Sequence, residues 1–324
     1  MSARARARSR ATAGVLALLT ALVPALLLVM AGPARAAASC LRVGSHRYAR
    51  ADPTLERVSV MTSRCRHAAP WVILIHGGSW INGKRRSMDP AAHVFYRHGW
   101  QTFNIDYRRG AHVSWPMQQR DLLAAYRWVT GHAGAFGLDL SRGSVYGFSA
   151  GGHMAAWLGN REPRLASIVT VSGVLQPQRV ASDDAGARPD TEPTTPQMHR
   201  LHLREIAMMG CDWTPGTTLT TQPARTEIQP WQPGRPDSLC GARWASFLPG
   251  YSITTHSPPV YMLQGDLDLR VPHPTPDAYG WHLGRAHVGH VVVHVPGLGH
   301  TQHLFLSDPH RQWDVLRWMR EQWS

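Results

Sequence analysis

A serine, a histidine and two aspartates stand on short segments that each follow an apolar run, and together they could carry nucleophilic acyl transfer. Ser149 lies in Gly147-Phe148-Ser149-Ala150-Gly151, between the run Ser144-Val145-Tyr146 and the helix pattern Gly152-His153-Met154-Ala155-Ala156-Trp157-Leu158. Glycine at both second neighbours lets the chain turn sharply from strand to helix and project the hydroxyl into a cleft. A serine hydroxyl is a poor nucleophile at neutral pH. It needs a base, a group that orients the base, and donors for the oxyanion. His300 ends Pro296-Gly297-Leu298-Gly299-His300, after the run Val291–Val295. Asp266 and Asp268 lie in Gln264-Gly265-Asp266-Leu267-Asp268-Leu269-Arg270-Val271-Pro272, after Pro259–Leu263. His76-Gly77-Gly78-Ser79-Trp80 follows Trp71–Ile75, and its paired glycines let backbone N–H groups approach a developing oxyanion. Gly77, Gly78, Ser79 and Ala150 are the candidate oxyanion-hole residues, with Gly78, Ser79 and Ala150 as N–H donors. Ser79 is compatible with this role because a backbone donor needs no glycine there. Trp80, beside the hole, is a candidate wall of the substrate pocket, with plain packing as the alternative.

These residues need a frame that gathers loops at one edge. Trp71–Ile75 is continuously apolar, as expected of a parallel strand covered on both faces. Thr102–Ile105, the run before Ser149, Ile168–Val171, Pro259–Leu263 and Val291–Val295 read as further strands. Asp121–Val129 reads as a helix with Leu122, Ala125, Tyr126 and Val129 on one face. Gln312–Trp323 reads as a closing helix with Trp313, Leu316 and Met319 turned inward. Strands alternating with helices predict a mostly parallel α/β sheet flanked by helices, and ligands of such sheets sit at the carboxyl ends of the strands. The stretch from about 175 to 257 breaks the rhythm with many prolines, and it is expected to be a loop-rich insertion or cap over the sheet.

Composition narrows the classes further. Arg4, Arg6, Arg8 and Arg10 precede an apolar Ala13–Met30 segment and Ala34-Arg35-Ala36, the pattern of an export signal cleaved after Ala36 or Ala38. Residues 1–36 are therefore expected to be a signal peptide and 37–324 one large domain, without a stable membrane span after cleavage. An uncleaved leader anchoring the protein is the alternative, against which Pro24, Gly32 and Pro33 argue. Four cysteines in an exported chain suggest two disulfides, and Cys40–Cys65 with Cys211–Cys240 is the most local pairing. The net charge is +13, yet Lys84 is the only lysine, and neither a zinc-finger spacing, an RNA-binding signature nor a basic helix follows the leader. No nucleic-acid partner is expected. Nineteen histidines include no His-Glu-x-x-His, so neither a metal nor a cofactor is expected.

His76-Gly77-Gly78-Ser79-Trp80, Asp106-Tyr107-Arg108, Gly147-Phe148-Ser149-Ala150-Gly151-Gly152 and Gly265–Pro272 resemble the serial motifs of α/β-hydrolase-fold serine esterases. The resemblance is to the HGG-type branch, with hormone-sensitive-lipase-like, acetyl, feruloyl and kynurenine formamidase-like enzymes. It covers the chain from about Val58 onward, apart from the insertion. It implies Ser149 as nucleophile, His300 as base and Asp268 as acid, because family sequences place the acid four residues before the proline, here Pro272. Asp266 is the fallback. The implied activity is hydrolysis of small or polymer-linked carboxylic esters through an acyl-enzyme. An acyltransferase or peptidase with the same triad, or a non-catalytic binding protein on this scaffold, are the alternatives.

Overall fold

The computed structural model describes residues 40–110, 112–176, 196–209, 239–271 and 273–323. Its strands are β1 (Leu41–Arg47), β2 (Arg57–Ser63), β3 (Ala69–Ile75), β4 (Gln101–Ile105), β5 (Leu138–Phe148), β6 (Ser167–Val171), β7 (Val260–Gly265) and β8 (His290–Val295). They form one sheet in the order β1-β2-β4-β3-β5-β6-β7-β8. β1 and β2 pair antiparallel, as do β2 and β4; every other neighbouring pair is parallel. The strand order reverses around β3, which has β4 on one side and β5 on the other. That is where a crevice opens at the strands' carboxyl ends.

The helices are α1 (Asp89–Arg97), α2 (Trp115–Gly131), α3 (Ala133–Phe136), α4 (Ala150–Arg161), α5 (Pro196–Met209), α6 (Leu239–Phe247), α7 (Thr275–Arg285), α8 (His303–Leu306) and α9 (Pro309–Glu321). The continuous apolar runs make sense because both faces of the sheet are covered. Trp71, Ile73 and Ile75 pack into one core with Leu122, Ala125, Tyr126 and Val129 of α2 and Met154 and Leu158 of α4. Val72 and Leu74 alternate into a second core with Phe95 of α1, Phe305 of α8 and Leu316 of α9. Helix α4 is buried from Ala150 through Asn160, so the segment behind Ser149 is walled in on every side.

Several expectations change in detail. The β1–β2 hairpin shows no continuous apolar run, because β1 is an edge strand and β2 only alternates in burial. In α9 the buried residues are Val315, Leu316 and Met319, whereas Trp313 is 53% exposed. Val315 moves the centre of the apolar face away from Trp313, which lies against the Arg320 guanidinium instead. The region expected to be loop-rich contains α5 and α6, with Leu201, Met208, Met209, Trp244 and Phe247 buried. The surrounding prolines masked that periodicity. Cys40 and Cys65 form a disulfide that closes the open end of the β1–β2 hairpin. The leader 1–36 and the Cys211–Cys240 pairing lie outside the described residues, as does much of the insertion.

Ile73 sits fully buried in the central strand. Ile73→Ala is expected to lower the unfolding free energy by about 2–5 kcal/mol, read as a lower urea midpoint at an unchanged slope.

Candidate active site

The turn from β5 into α4 holds Ser149 at φ 57° and ψ −125°, outside the regions that ordinary residues occupy. Such strain costs roughly 1–3 kcal/mol and persists only where surroundings over-determine it. Here they do. A Cβ on Gly147 would run into the Gly151 carbonyl, and one on Gly151 would run into the carbonyl of Ile75. Both positions must be glycine for the elbow to fit under the end of β3. The Ser149 N–H donates to the Val171 carbonyl at 2.9 Å, which ties the elbow to β6.

Above the elbow three loops converge. His300 Nε2 lies 2.9 Å from Ser149 Oγ, and its Nδ1 lies 2.8 Å from Asp268 Oδ2. A carboxylate only accepts, so Nδ1–H donates to it and Nε2 is left as the acceptor for the serine proton. Asp268 is buried and well supplied with donors. Its Oδ1 accepts from the N–H groups of Arg270 and Val271 at 2.9 Å each, and its Oδ2 from Gln264 Nε2 at 3.1 Å. Burial alone would raise the Asp268 pKa. The hydrogen bond and charge of His300, with the two backbone donors, outweigh it and hold the carboxyl below its ordinary value. Asp266 has a different place. It is exposed, and its Oδ1 accepts from the Gly297 N–H at 2.8 Å, which links the aspartate loop to the histidine loop.

The loop after β3 lies against Ser149. A Cβ on Gly77 would come within 2.8 Å of Ser149 Cβ, so only glycine lets the two segments meet. Gly78, Ser79 and Trp80 have φ of 127°, 49° and 61°, and the Gly78 carbonyl accepts from Asn82 N–H at 2.9 Å. This tight turn leaves the N–H groups of Gly78, Ser79 and Ala150 without a backbone acceptor among the described residues. Position 79 does favour glycine after all. Serine there accepts a left-handed backbone at a cost of about 1–2 kcal/mol.

Trp80, expected on a pocket wall, is fully buried and acts from behind. Its Nε1–H donates to His153 Nδ1 at 3.2 Å, and His153 Nε2–H donates to the Phe247 carbonyl at 2.6 Å. The loop after β3, α4 and α6 are thus joined through one imidazole. Below the loop, the His76 ring stacks on Tyr107 at 4.4 Å, and the Tyr107 hydroxyl donates to the His76 carbonyl. Asp106 receives the Arg85 N–H at 2.8 Å and lies 3.3 Å from the Arg109 guanidinium. Burial pushes Asp106 up, but His76 and Arg85 prevail and hold it below its ordinary value. Gln264 and His153 carried no recognisable signal in the sequence, since each looks like an ordinary strand or helix residue. No grouping of histidine, cysteine and carboxylate side chains fit for a metal occurs among the described residues.

Burial holds His153 neutral, with its pKa lowered from 6.5 to about 3. The unfolded chain therefore takes up this proton near pH 6.5, whereas the folded one resists until near pH 3. Stability from this group is complete above about pH 6.5 and is lost as the pH falls toward 3, by roughly 2 kcal/mol at pH 5. Urea midpoints between pH 7 and pH 5 are expected to fall, with a shallower fall in His153→Gln.

Comparisons with known proteins bear on the fold and the family likeness. Residues 60–171 match the BD-FAE family model. Esterase LipC of Mycobacterium tuberculosis is 37% identical over 94 residues, covering 28% of this chain and 23% of that protein. Carboxylesterase NlhH of the same species is 38% identical over 93 residues, or 28% of this chain and 29% of that one. The matched region thus spans about a quarter of the length of these curated relatives. Inhibited esterase B from Lactobacillus rhamnosis superposes with a TM-score of 0.64 at 18% identity, over 94% of this chain and 96% of the other. A bacterial heroin esterase superposes with a TM-score of 0.62 at 22% identity, over 88% and 84%. The resemblance to HGG-type esterases is borne out: this chain has the α/β-hydrolase fold, and its residues 60–171 match the BD-FAE family model.

Proposed function

We propose that this protein is an exported serine hydrolase that cleaves carboxylic esters through Ser149, His300 and Asp268. The observation that carries the reading is the continuous relay from Asp268 through His300 to Ser149, with both hydrogen bonds at 2.8–2.9 Å. His300 Nε2 takes the Ser149 proton as Oγ attacks the ester carbonyl carbon. The resulting oxyanion is held by the N–H groups of Gly78, Ser79 and Ala150. Asp268, kept ionised, stabilises the imidazolium and preserves its tautomer. Collapse expels the alcohol, protonated by His300, and leaves an acyl group on Ser149. Water then attacks with His300 as base, and the second collapse frees the acid and restores the serine. The relatives' esterase names favour an ester over an amide or an acyl-transfer acceptor. Export is supported by the leader pattern of residues 1–36 and by the Cys40–Cys65 disulfide, a bond that persists in oxidising compartments.

Incubation of the purified protein with a fluorophosphonate is expected to label Ser149 covalently, with labelling abolished in Ser149→Ala. Turnover of short aryl esters is expected to fall roughly 10³-fold or more in Ser149→Ala and His300→Ala, and about as far in the double variant. Labelling that survives Ser149→Ala, or peptide amides cleaved in preference to esters, would count against this function. Mass spectrometry of protein collected outside the producing cell is expected to find a mature chain beginning at Ala37 or Ser39.

A further inference from the structure

A cavity of about 200 Å³ opens beside the oxyanion loop, between it, α5 and the loop that carries the aspartate of the triad. Ser79 and Asn82 line it from the first, Gln197, Arg200 and Arg204 from the second, and Arg270 from the third. The helix residues are spaced three and four apart, so α5 turns one face into the cavity. Arg270 is two residues beyond Asp268, and its N–H donates to that carboxylate at 2.9 Å. The cavity is therefore held in register with the triad on one side and the oxyanion loop on the other.

Three guanidinium groups, those of Arg200, Arg204 and Arg270, line the wall of this cavity. Arg85 and Arg109 meet Asp106, Arg108 meets Asp121, and Arg311 meets Asp308. None of Arg200, Arg204 and Arg270 has a carboxylate within ion-pair reach among the described residues. Three guanidinium groups around one concavity repel each other, and an oxyanion among them would gain charge-assisted, often bidentate hydrogen bonds. Gln197 and Asn82 add neutral polar groups. The lining is otherwise poor in apolar surface, Ile81 and Leu201 apart. It suits a small charged group better than an alkyl chain.

We infer that this cavity is a subsite for an oxyanionic group on the substrate, so that preferred substrates are esters with a carboxylate or phosphate close to the scissile bond. The inference rests on Ser149 acting as an esterase nucleophile.

The test measures kcat/KM for charged esters against neutral counterparts. The 4-nitrophenyl monoester of adipic acid, against its methyl ester, places a carboxylate on the acyl side. 3-Acetoxybenzoate against its methyl ester places one on the leaving group, and 3-acetoxyphenyl phosphate against phenyl acetate substitutes a phosphate. At low salt at least one pair is expected to favour the charged member by about tenfold, mainly through KM. That ratio is expected to fall toward parity in the Arg200→Gln/Arg204→Gln double variant and in high salt. Ratios at or below one throughout, with the neutral esters still turned over, would overturn the subsite and leave the esterase reading standing. No turnover of any ester would instead strike at the esterase reading. Calorimetric titration of Ser149→Ala with 3-acetoxybenzoate and with its methyl ester tests the subsite without chemistry. Equal affinity for both, or charge preference that survives the double substitution, would overturn it.

Discussion

The whole site depends on how closely the end of β3 can approach the turn after β5. Gly151 lies under the Ile75 carbonyl, Gly147 faces Gly151, and Gly77 touches Ser149. No side chain fits at any of these contacts, and together they hold Ser149 in a backbone conformation it would otherwise leave. The same approach brings the N–H groups of the loop after β3 beside Ser149. The Ser149 turn and the placement of the Gly78 and Ser79 N–H groups are thus products of a single packing constraint between two adjacent parallel strands.

The second half of the site is electrostatic. Asp268 is buried, which would ordinarily favour its neutral form, and a neutral acid could not hold the imidazole for proton transfer. The fold answers with two backbone N–H groups of its own loop, the Gln264 amide and the His300 ring. Behind the oxyanion loop the solution is opposite. His153 is kept neutral by burial, so it can accept from Trp80 and donate to Phe247 at once. A charged imidazole would put a proton against the Trp80 N–H and separate the loop from α4 and α6.

Much of this was legible along the chain. The buried strands are apolar runs because both sheet faces are covered, and α2 displays its packing face at helical spacing. Both are local patterns. Elements whose burial alternates or depends on distant partners were harder to read. The β1–β2 hairpin carries no continuous apolar run, and α5 and α6 are embedded among prolines. Trp313 looks inward by spacing but is displaced by Val315, which claims the centre of the same face.

By itself, the sequence determined the elbow around Ser149, the order serine, aspartate, histidine, and the glycine-rich loop after β3. Those features rest on steric limits and apolar patterns that act over a few residues. Tertiary structure decided which aspartate meets the histidine. Asp266 and Asp268 share one loop, and only the meeting of β7 and β8 turns Asp268 toward His300 and Asp266 toward Gly297. It also decided that Trp80 supports the oxyanion loop from behind, through a ring on α4 and a carbonyl on α6. And it set Arg200, Arg204 and Arg270 around one cavity. Such groupings join residues far apart in sequence, and only the folded sheet and its covering helices bring them together.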